Sequence, residues 1–202
     1  MCAMNRYVRF FNADCYGRNV TFYTNGEISA ENVGFGEFSR YVPVPDTTAS
    51  FSMSCLNCNQ GQCSKLEIAF DNSPVYTVAA VCIADEICLY GIREIYGEPN
   101  RSGANLRVCN LSPDITGYDL YANRYELIGD MDYLEVSKYV AMVPDTYDFA
   151  VKDDKNIVFN IGRQTLQKGK YNTFYLIGKV NSNPAMACIV SIDAMSYDGD
   201  AL

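Results

Sequence analysis

The stretch Glu37-Phe38-Ser39-Arg40-Tyr41-Val42 returns 98 positions later as Glu135-Val136-Ser137-Lys138-Tyr139-Val140. The same shift also places four earlier residues on identical ones: Arg9 on Arg107, Asn12 on Asn110, Tyr23 on Tyr121 and Asn25 on Asn123. Between Arg9 and Val42, eight of 34 ungapped positions are identical, far more than unrelated sequences share. We infer that the chain is a tandem duplication.

The duplication continues toward the end of each copy. After one inserted residue, Val44-Pro45-Asp46-Thr47 aligns with Val143-Pro144-Asp145-Thr146. Further along, Tyr76-Thr77-Val78-Ala79 falls on Phe174-Tyr175-Leu176-Ile177, which carries the same apolar pattern. Both copies are therefore expected to share one fold.

Each copy has the pattern of a β-sandwich. Short segments rich in aromatic and β-branched residues are separated by polar, Gly or Pro residues at the spacing typical of a sandwich. The predicted strands of the first copy are Tyr7–Phe11, Val20–Thr24, Phe38–Val44, Ser50–Ser54, Leu66–Phe70, Val75–Cys82 and Cys88–Ile92. Asn25-Gly26 indicates a tight turn after the second of them. No long amphipathic helix is present, so the predicted fold class is all-β.

These patterns predict two tandem domains within the 202 residues. We expect an N-terminal tail over 1–5, a first sandwich over 6–97, a linker over 98–103, a second sandwich over 104–195 and an acidic tail over 196–202. The charge divides evenly, since 6 basic and 10 acidic residues precede the linker region and 10 basic and 14 acidic residues follow from it on. Neither half is specialised for a charged partner.

Composition excludes several classes of function. The net charge of −8 offers no basic footprint for nucleic acid or for an acidic membrane surface. The chain has no histidine, which removes the Ser-His-Asp triad, the Cys-His dyad and histidine metal sites. With no nucleophile-elbow or phosphate-cradling motif either, we predict a protein that is not an enzyme and needs no cofactor.

Two features of the sequence point to opposite cellular locations. Residues 1–6 pass directly into strand-like sequence, so we expect no classical signal peptide. The longest apolar run, Val75 to Ala84, is about half of what crosses a bilayer, and no membrane insertion is expected. Nine cysteines, however, are typical of an oxidising compartment. Export without a classical signal reconciles the two signals, and burial of the thiols as small apolar side chains is the alternative.

The cysteines are the chemically reactive feature, and six of the nine lie in the first copy. Candidates for disulfides or cross-links are Cys2, Cys15, Cys55, Cys58, Cys63, Cys82 and Cys88. Cys109 and Cys188 fall within strand-like runs and are expected in the core. A zinc site on Cys55, Cys58 and Cys63 with a fourth thiolate such as Cys15 or Cys88 is the less favoured alternative, because a second C-x2-C is missing. A redox C-x-x-C is disfavoured further, because it needs a βαβ context.

Cys2 is a separate candidate. Nine is an odd number, so in an oxidising environment at least one thiol stays free or bonds to another molecule. Cys2 precedes the first strand on a terminal tail, which would let it reach a neighbouring subunit. An incidental exposed thiol is the equal alternative.

Two other residue types were weighed for binding. Sixteen tyrosines could form an aromatic face for glycans, although strand tyrosines more often pack one edge on the core. The acidic pairs Asp130/Asp132 and Asp153/Asp154 could bind calcium. No loop has EF-hand spacing, so solvated turns are the favoured interpretation of both pairs.

The second copy resembles a known family. Leu106-Arg107-Val108-Cys109-Asn110-Leu111-Ser112-Pro113-Asp114 followed by Tyr118-Asp119-Leu120-Tyr121 is similar to the opening of bacterial domain-of-unknown-function family 4397, R-V-x-N-x-S-P-D then V-D-V-Y. Tyr139 to Tyr147 is similar to its Y-x-x-V-P-A-G-T-Y segment, while the first copy has Asp14-Cys15-Tyr16 in place of Ser-Pro-Asp. Tandem pairs without a signal peptide, ending like Ile87-Cys88-Leu89-Tyr90, resemble proteins of clostridia and their relatives.

The resemblance implies a β-sandwich of immunoglobulin-like or prealbumin-like type, usually at the bacterial surface. It implies no reaction and no catalytic residues. With the cysteine content, it leads us to expect a non-enzymatic structural protein that self-assembles on the bacterial exterior, for example on a spore, with disulfides reinforcing subunit contacts. Its partners would be itself or another surface protein. The alternative expectation is a surface adhesion or carbohydrate-binding module whose partners are glycans.

Overall fold

A computed structural model of the chain describes residues 6–56, 58, 64–70, 74–94, 101–153 and 156–196. Within them no α-helix is present, and 3-10 geometry occurs at Ser64 and at Ala194–Ser196 while the rest is strand and connecting loop, so the all-β prediction is confirmed. The chain divides into two compact units, the first ending at Tyr96 and the second beginning at Gly97. In the described part of the chain no helix is long and apolar enough to cross a membrane.

The described residues of unit 1 form eight strands. They are β1 Arg6–Asn12, β2 Val20–Thr24, β3 Glu27–Val33, β4 Val42–Val44, β5 Thr48–Cys55, β6 Lys65–Ala69, β7 Val75–Ile83 and β8 Glu86–Arg93. They form two four-stranded sheets, in the orders β4-β1-β7-β8 and β3-β2-β5-β6. The pair β1–β7 is parallel and the other pairs are antiparallel.

Unit 2 repeats this arrangement. Its strands are β9 Ala104–Asn110, β10 Tyr118–Ala122, β11 Tyr125–Met131, β12 Val140–Met142, β13 Thr146–Asp153, β14 Asn156–Thr165, β15 Tyr171–Ile177 and β16 Ala187–Ile192. The sheet orders are β12-β9-β15-β16 and β11-β10-β13-β14, again with a parallel pair, β9–β15.

The strand order differs from that of one expected sandwich type. The immunoglobulin constant-type fold places its first two strands in one sheet. Here β1 lies in one sheet and β2 in the other, and β1 pairs with β4 and β7 instead. The two tandem sandwiches are confirmed, and their order is not that of the immunoglobulin constant domain.

Alternating side chains form one core in each unit. In β5 the buried Ala49, Phe51 and Met53 alternate with exposed or half-buried residues, because successive side chains of a strand point to opposite faces. Phe51 meets Phe10 of the facing sheet edge to face, with ring centroids 6.0 Å apart. In unit 2, Phe149, the counterpart of Phe51, meets Phe174 of β15 edge to face at 4.9 Å.

The structural equivalence between the units corrects two of the alignments made from sequence. From β1 to β5 the equivalent residues differ by 98 with no insertion, so Thr48 corresponds to Thr146, and the Val-Pro-Asp-Thr match is one residue out of register. Arg9 pairs with Thr77 and Arg107 with Thr173, so β7 and β15 differ by 96 and not 98. A two-residue slip keeps every side chain on the same face, which is why the apolar pattern still matched.

Two strand predictions also need correction. Strand β3 was missed, because Glu27–Val33 is mostly polar and half-exposed at a sheet edge. The predicted strand Phe38–Val44 shrinks to Val42–Val44, and Phe38 forms only an isolated bridge with Phe11. Half of the predicted linker, residues 98–100, and both predicted tails apart from Ser196 lie outside the described residues.

Candidate functional site

Cys15 and Cys82 form a buried disulfide in unit 1. Cys15 follows β1 and Cys82 lies near the end of β7, so the parallel pairing of these strands brings the two residues to the same end of the sheet, with Cα atoms 5.8 Å apart. Cys15 is 2% exposed and Cys82 is 6% exposed. The backbone N–H of Cys15 donates to Cys82 Sγ at 2.9 Å. The bond links two residues that are 67 positions apart in the sequence.

A fully buried carboxylate lies beside this disulfide. Asp14 Oδ1 is 3.2 Å from Cys82 Sγ, and both oxygens of Asp14 accept from the Arg18 guanidinium at 2.7 and 2.8 Å. This bond raises the pKa of Arg18. Asp14, Cys15 and Cys82 are close enough to share a metal ion, but the two sulfurs are bonded to each other, so no thiolate is available to zinc beside the Asp14 carboxylate. In this oxidised form the cluster is a structural one.

Unit 2 closes the same corner without sulfur. Ser112 occupies the position of Asp14, and its hydroxyl donates to the Gly178 carbonyl at 2.8 Å. Gly178, with φ +77°, stands where unit 1 has Cys82, and a Cβ there would lie 2.3 Å from the Ala185 carbonyl oxygen. The fold therefore does not require the disulfide, which is an addition to unit 1.

Two other predicted bonding cysteines, Cys55 and Cys58, lie at the end of β5 and just after it. Cys55 and Cys58 are joined by a disulfide with Cα atoms 5.5 Å apart, and Cys88 on β8 is disulfide-bonded as well. Joined to each other, Cys55 and Cys58 have no thiolates to offer zinc. Cys2 and Cys63 lie outside the described residues. In unit 2 the hairpin of β13 and β14 extends through the corresponding region.

Cys109 and Cys188 of unit 2 are free thiols. Burial raises the pKa of each to about 12. Cys109 is fully buried, and Cys188 packs against the core of unit 2. Because the thiolate is the reactive form, neither is activated for chemistry.

A buried charge network joins the strands of unit 1. Arg9 Nε donates to the Thr77 hydroxyl at 2.9 Å, and its Nη2 lies 3.2 Å from Glu94 Oε1. Glu94 also accepts from Thr77 at 3.0 Å and from the Tyr41 hydroxyl at 2.8 Å. The Arg9 guanidinium lies 4.5 Å above the Phe38 ring. The charge is thus enclosed by hydrogen bonds and aromatic faces.

Unit 2 builds the same network from Arg107, Thr173, Asp193 and Tyr139. Arg107 Nε donates to Thr173 at 2.7 Å, and Arg107 Nη2 lies 3.1 Å from Asp193. Tyr139 donates a short hydrogen bond to Asp193, and burial together with that carboxylate raises the pKa of Tyr139. The guanidinium stacks over the Tyr139 ring at 4.8 Å.

The sequence identified the arginine and the tyrosine of each network, but not the acid or the threonine. The identities Arg9/Arg107 and Tyr41/Tyr139 marked them as equivalent positions. The acids Glu94 and Asp193 differ in type and are offset by 99 positions, so the constant shift of 98 could not align them. A carboxylate just after the last strand of each copy was the available signal.

Several of the remaining identities between the copies are hydrogen-bonding residues of the fold. Ser39 accepts from Phe10 N at 2.8 Å, as Ser137 accepts from Val108 N at 3.0 Å. The side-chain amides of Asn12 and Asn110 each donate to two loop carbonyls. The repeat therefore records what holds the sandwich together.

A cleft of about 370 Å³ opens in unit 1 between β3 and the segment leading into β4. Its charged and aromatic lining includes Glu31, Glu37, Arg40 and Tyr41. Two tyrosines elsewhere are exposed, Tyr16 of unit 1 at 43% and Tyr125 of unit 2 at 69%. They supply one exposed ring in each unit.

The acidic pairs considered for calcium have other contacts. Asp130 takes a positive φ of 54° and its N–H donates to Asp119, and the Asp132 N–H donates to Glu135 at 3.0 Å. Asp153 ends β13, and Asp154 lies outside the described residues. Asp130 lies within β11, and Asp132 directly follows that strand.

The sequence of both sandwiches matches a known protein family. The model of the Domain of unknown function DUF4397 matches residues 6–116 and again residues 104–199, one match for each sandwich. The chain belongs to the DUF4397 family. Among curated proteins none matches it. Among solved structures it is similar to the C-terminal domain of AlgF from P. aeruginosa, at 20% identity over 46% of this chain and 99% of that chain, with a TM-score of 0.36.

Proposed function

We propose that this DUF4397 protein is a non-enzymatic structural protein that self-assembles on the bacterial exterior, with a spore surface as one such location, and whose subunit contacts are reinforced by disulfides. One observation carries the proposal: all five described cysteines of unit 1 are disulfide-bonded. Disulfides form and persist in oxidising compartments and are rare in the cytosol.

The placement of the disulfides supports a role in durability. Unit 2 forms the same sandwich with a hydrogen bond where unit 1 has Cys15–Cys82, so this bond adds stability to a fold that forms without it. Closing a loop of this length stabilises a domain by roughly 4 kcal/mol in the chain-entropy model. Such reinforcement suits a protein exposed to harsh surroundings.

The ionisable groups of the two networks support a structural role over a catalytic one. Arg9, Glu94, Arg107 and Asp193 are each 4% exposed or less, and they are bound to one another across strands. Groups held in this way fix the packing of strands and do not face a cleft where a substrate could reach them.

The test is electrophoresis and intact mass of the protein isolated from its native source, with and without reductant. A ladder of multimers that collapses to 22.6 kDa on reduction is the expected result. Cys2→Ser should shorten the ladder, and Cys109→Ser, which removes a buried thiol, is the matched control and should not. Isolation solely as a reduced monomer from cytosol would overturn the proposal.

A surface adhesion or carbohydrate-binding module is the second candidate, favoured by the β3–β4 cleft. Its carboxylates and the Tyr41 ring are the groups that bind sugar hydroxyls and stack on sugar faces. Binding on a glycan array that is lost in Glu31→Gln would support it. A blank array would count against it.

A further inference from the structure

One side of unit 2 is open where the same side of unit 1 is closed. Edge strands β14 and β16 flank this side, and Val190 on β16 is 38% exposed. In unit 1, Gly91 occupies the position of Val190, and a Cβ there would lie 3.3 Å from Ile68 of β6. Strands β6 and β8 thus pack closely at the place where β14 leaves Val190 uncovered.

The backbone of β16 presents hydrogen-bonding groups at this open side. The Asp193 N–H donates to the Tyr171 carbonyl on β15 at 2.9 Å. Because strand residues alternate in direction, the N–H and C=O groups of Cys188, Val190 and Ile192 point away from β15. In the described part of the chain no strand pairs with that edge.

Strand β16 also lacks the features that normally protect an edge. Its sequence Ala187-Cys188-Ile189-Val190-Ser191-Ile192 contains no Pro, no Gly and no charged side chain. All six residues pair with β15 without a register shift. A flat, neutral, β-branched edge is a template for pairing with another strand.

The other edges of the two units carry such protection. Strands β3, β11 and β14 each have register shifts against their neighbours, which twist an edge away from pairing. Strands β4 and β12 have only three residues each, and β4 contains Pro43. Strand β6 includes Lys65 and Glu67, and Ile87, Cys88 and Leu89 of β8 are buried. Among the described strands, β16 is the one suited to pairing.

We propose that β16 is the edge through which two copies of this chain associate. The two β16 strands pair antiparallel about a two-fold axis, with Val190 opposite the partner's Val190, and join two four-stranded sheets into one of eight strands. This inference deepens the proposed self-assembly and rests on it.

Charge and symmetry select a second copy as the occupant. The chain carries a net charge of −8, which makes most surfaces of a second copy repulsive, whereas two neutral β16 edges meet without repulsion. An antiparallel pairing is also self-complementary, because each outward N–H meets an outward C=O of the identical strand. The exposed Val190 side chains would then cover each other near the axis.

The experiment measures self-association of the full chain by sedimentation equilibrium in the presence of reductant, so that no covalent cross-link contributes. Val190→Pro removes the central outward N–H without touching the ladder to β15, and Val190→Lys places a charge at the edge. Each should raise the dimer dissociation constant at least about tenfold, which corresponds to about 1.4 kcal/mol. Val190→Thr keeps the N–H and the branched shape, and it is the matched control that should still dimerise.

Hydrogen exchange of the Val190 amide provides a readout that does not depend on substitution. The amide should exchange slowly at concentrations where the dimer forms and quickly on dilution. Protection that does not change with concentration would mean that a segment of the same chain covers the edge, and this would overturn the inference. Unchanged dimerisation of the Pro and Lys variants would overturn it as well.

The outcomes separate this inference from the proposed function. A dimer under reductant that depends on Val190, found together with no covalent ladder from the native source, would support the β16 edge and contradict disulfide-reinforced assembly. A covalent ladder together with indifference to Val190 substitutions would do the reverse.

Discussion

Arg9 and Glu94 approach to 3.2 Å in the interior of unit 1, with side chains 5% and 1% exposed. The same pairing recurs in unit 2 between Arg107 and Asp193 at 3.1 Å, with an acid one methylene shorter. Each pair ties the first strand of its unit to the segment that follows the last strand, across the strand between them. The network therefore fastens both ends of each unit to one sheet.

Removing the charge of the acid should destabilise its unit strongly. Asp193→Asn leaves the buried Arg107 charge without an ionic partner, and breaking a buried pair in this way costs about 3–5 kcal/mol. Urea unfolding of the Asp193→Asn variant should show the loss. Asp148→Asn, in the exposed pair with Arg163, is the matched control and should leave unfolding unchanged. Equal effects of the two substitutions would mean that the buried network is not a stabilising element.

Reduction should destabilise unit 1 selectively. Cys82→Ala removes a cross-link across 67 residues and should lower the free energy of unfolding of unit 1 by about 4 kcal/mol under oxidising conditions. Unit 2, whose described cysteines are free, should unfold at the same denaturant concentration with and without reductant. Amide signals assigned to each unit would separate the two transitions, and an equal shift of both would contradict the expectation.

Alkaline pH should weaken unit 2 through its buried thiols. The folded pKa of Cys109 is raised to about 12 from an ordinary value of 9.0, so its contribution is fully present below pH 9 and is lost as pH rises toward 12. The thermal unfolding temperature of unit 2 should fall as the pH rises from 9 toward 12. It should fall less in the Cys109→Ala variant. The Cys109 thiol should also resist a thiol reagent at pH 8 until the protein is unfolded. Fast modification of Cys109 in the native protein would contradict its burial.

Gly178 should tolerate substitution worse than Gly162, although both have positive φ, 77° and 81°. A Cβ at position 162 has no atom within 4 Å. Gly162→Ala is therefore destabilised only by the left-handed backbone conformation, which costs about 1–2 kcal/mol. Ala at 178 adds a contact with the Ala185 backbone at 2.3 Å, which must be relieved by moving the β15–β16 loop. Chemical denaturation should rank Gly178→Ala as the more destabilised variant, and the reverse ranking would place the loop elsewhere.

The sequence was sufficient to predict the duplication, the sandwich and most strands, because alternation and punctuation are local signals. Asn25-Gly26 marked a hairpin, but its second strand β3 was missed. Edge residues such as Glu27 and Glu31 are polar because they face solvent, and this polarity does not indicate that the segment pairs as a strand. The Tyr76–Ala79 alignment slipped by two because the period of a strand cannot distinguish registers two residues apart.

The pairing of the cysteines and the buried networks could not be predicted in the same way. Which thiols meet depends on the parallel contact of β1 with β7, a pairing between strands far apart in sequence. The partners of Arg9 and Arg107 lie at unequal offsets for the same kind of reason, because loops of different length precede them. The open side at β16 is a property of packing that no local pattern encodes.

The most direct test of self-assembly is the mass of the oxidised full chain in solution, measured by light scattering over a range of concentrations. Self-assembly predicts masses that are multiples of 22.6 kDa and that rise with concentration. A mass of 22.6 kDa at every concentration, with the disulfides of unit 1 intact, would contradict it.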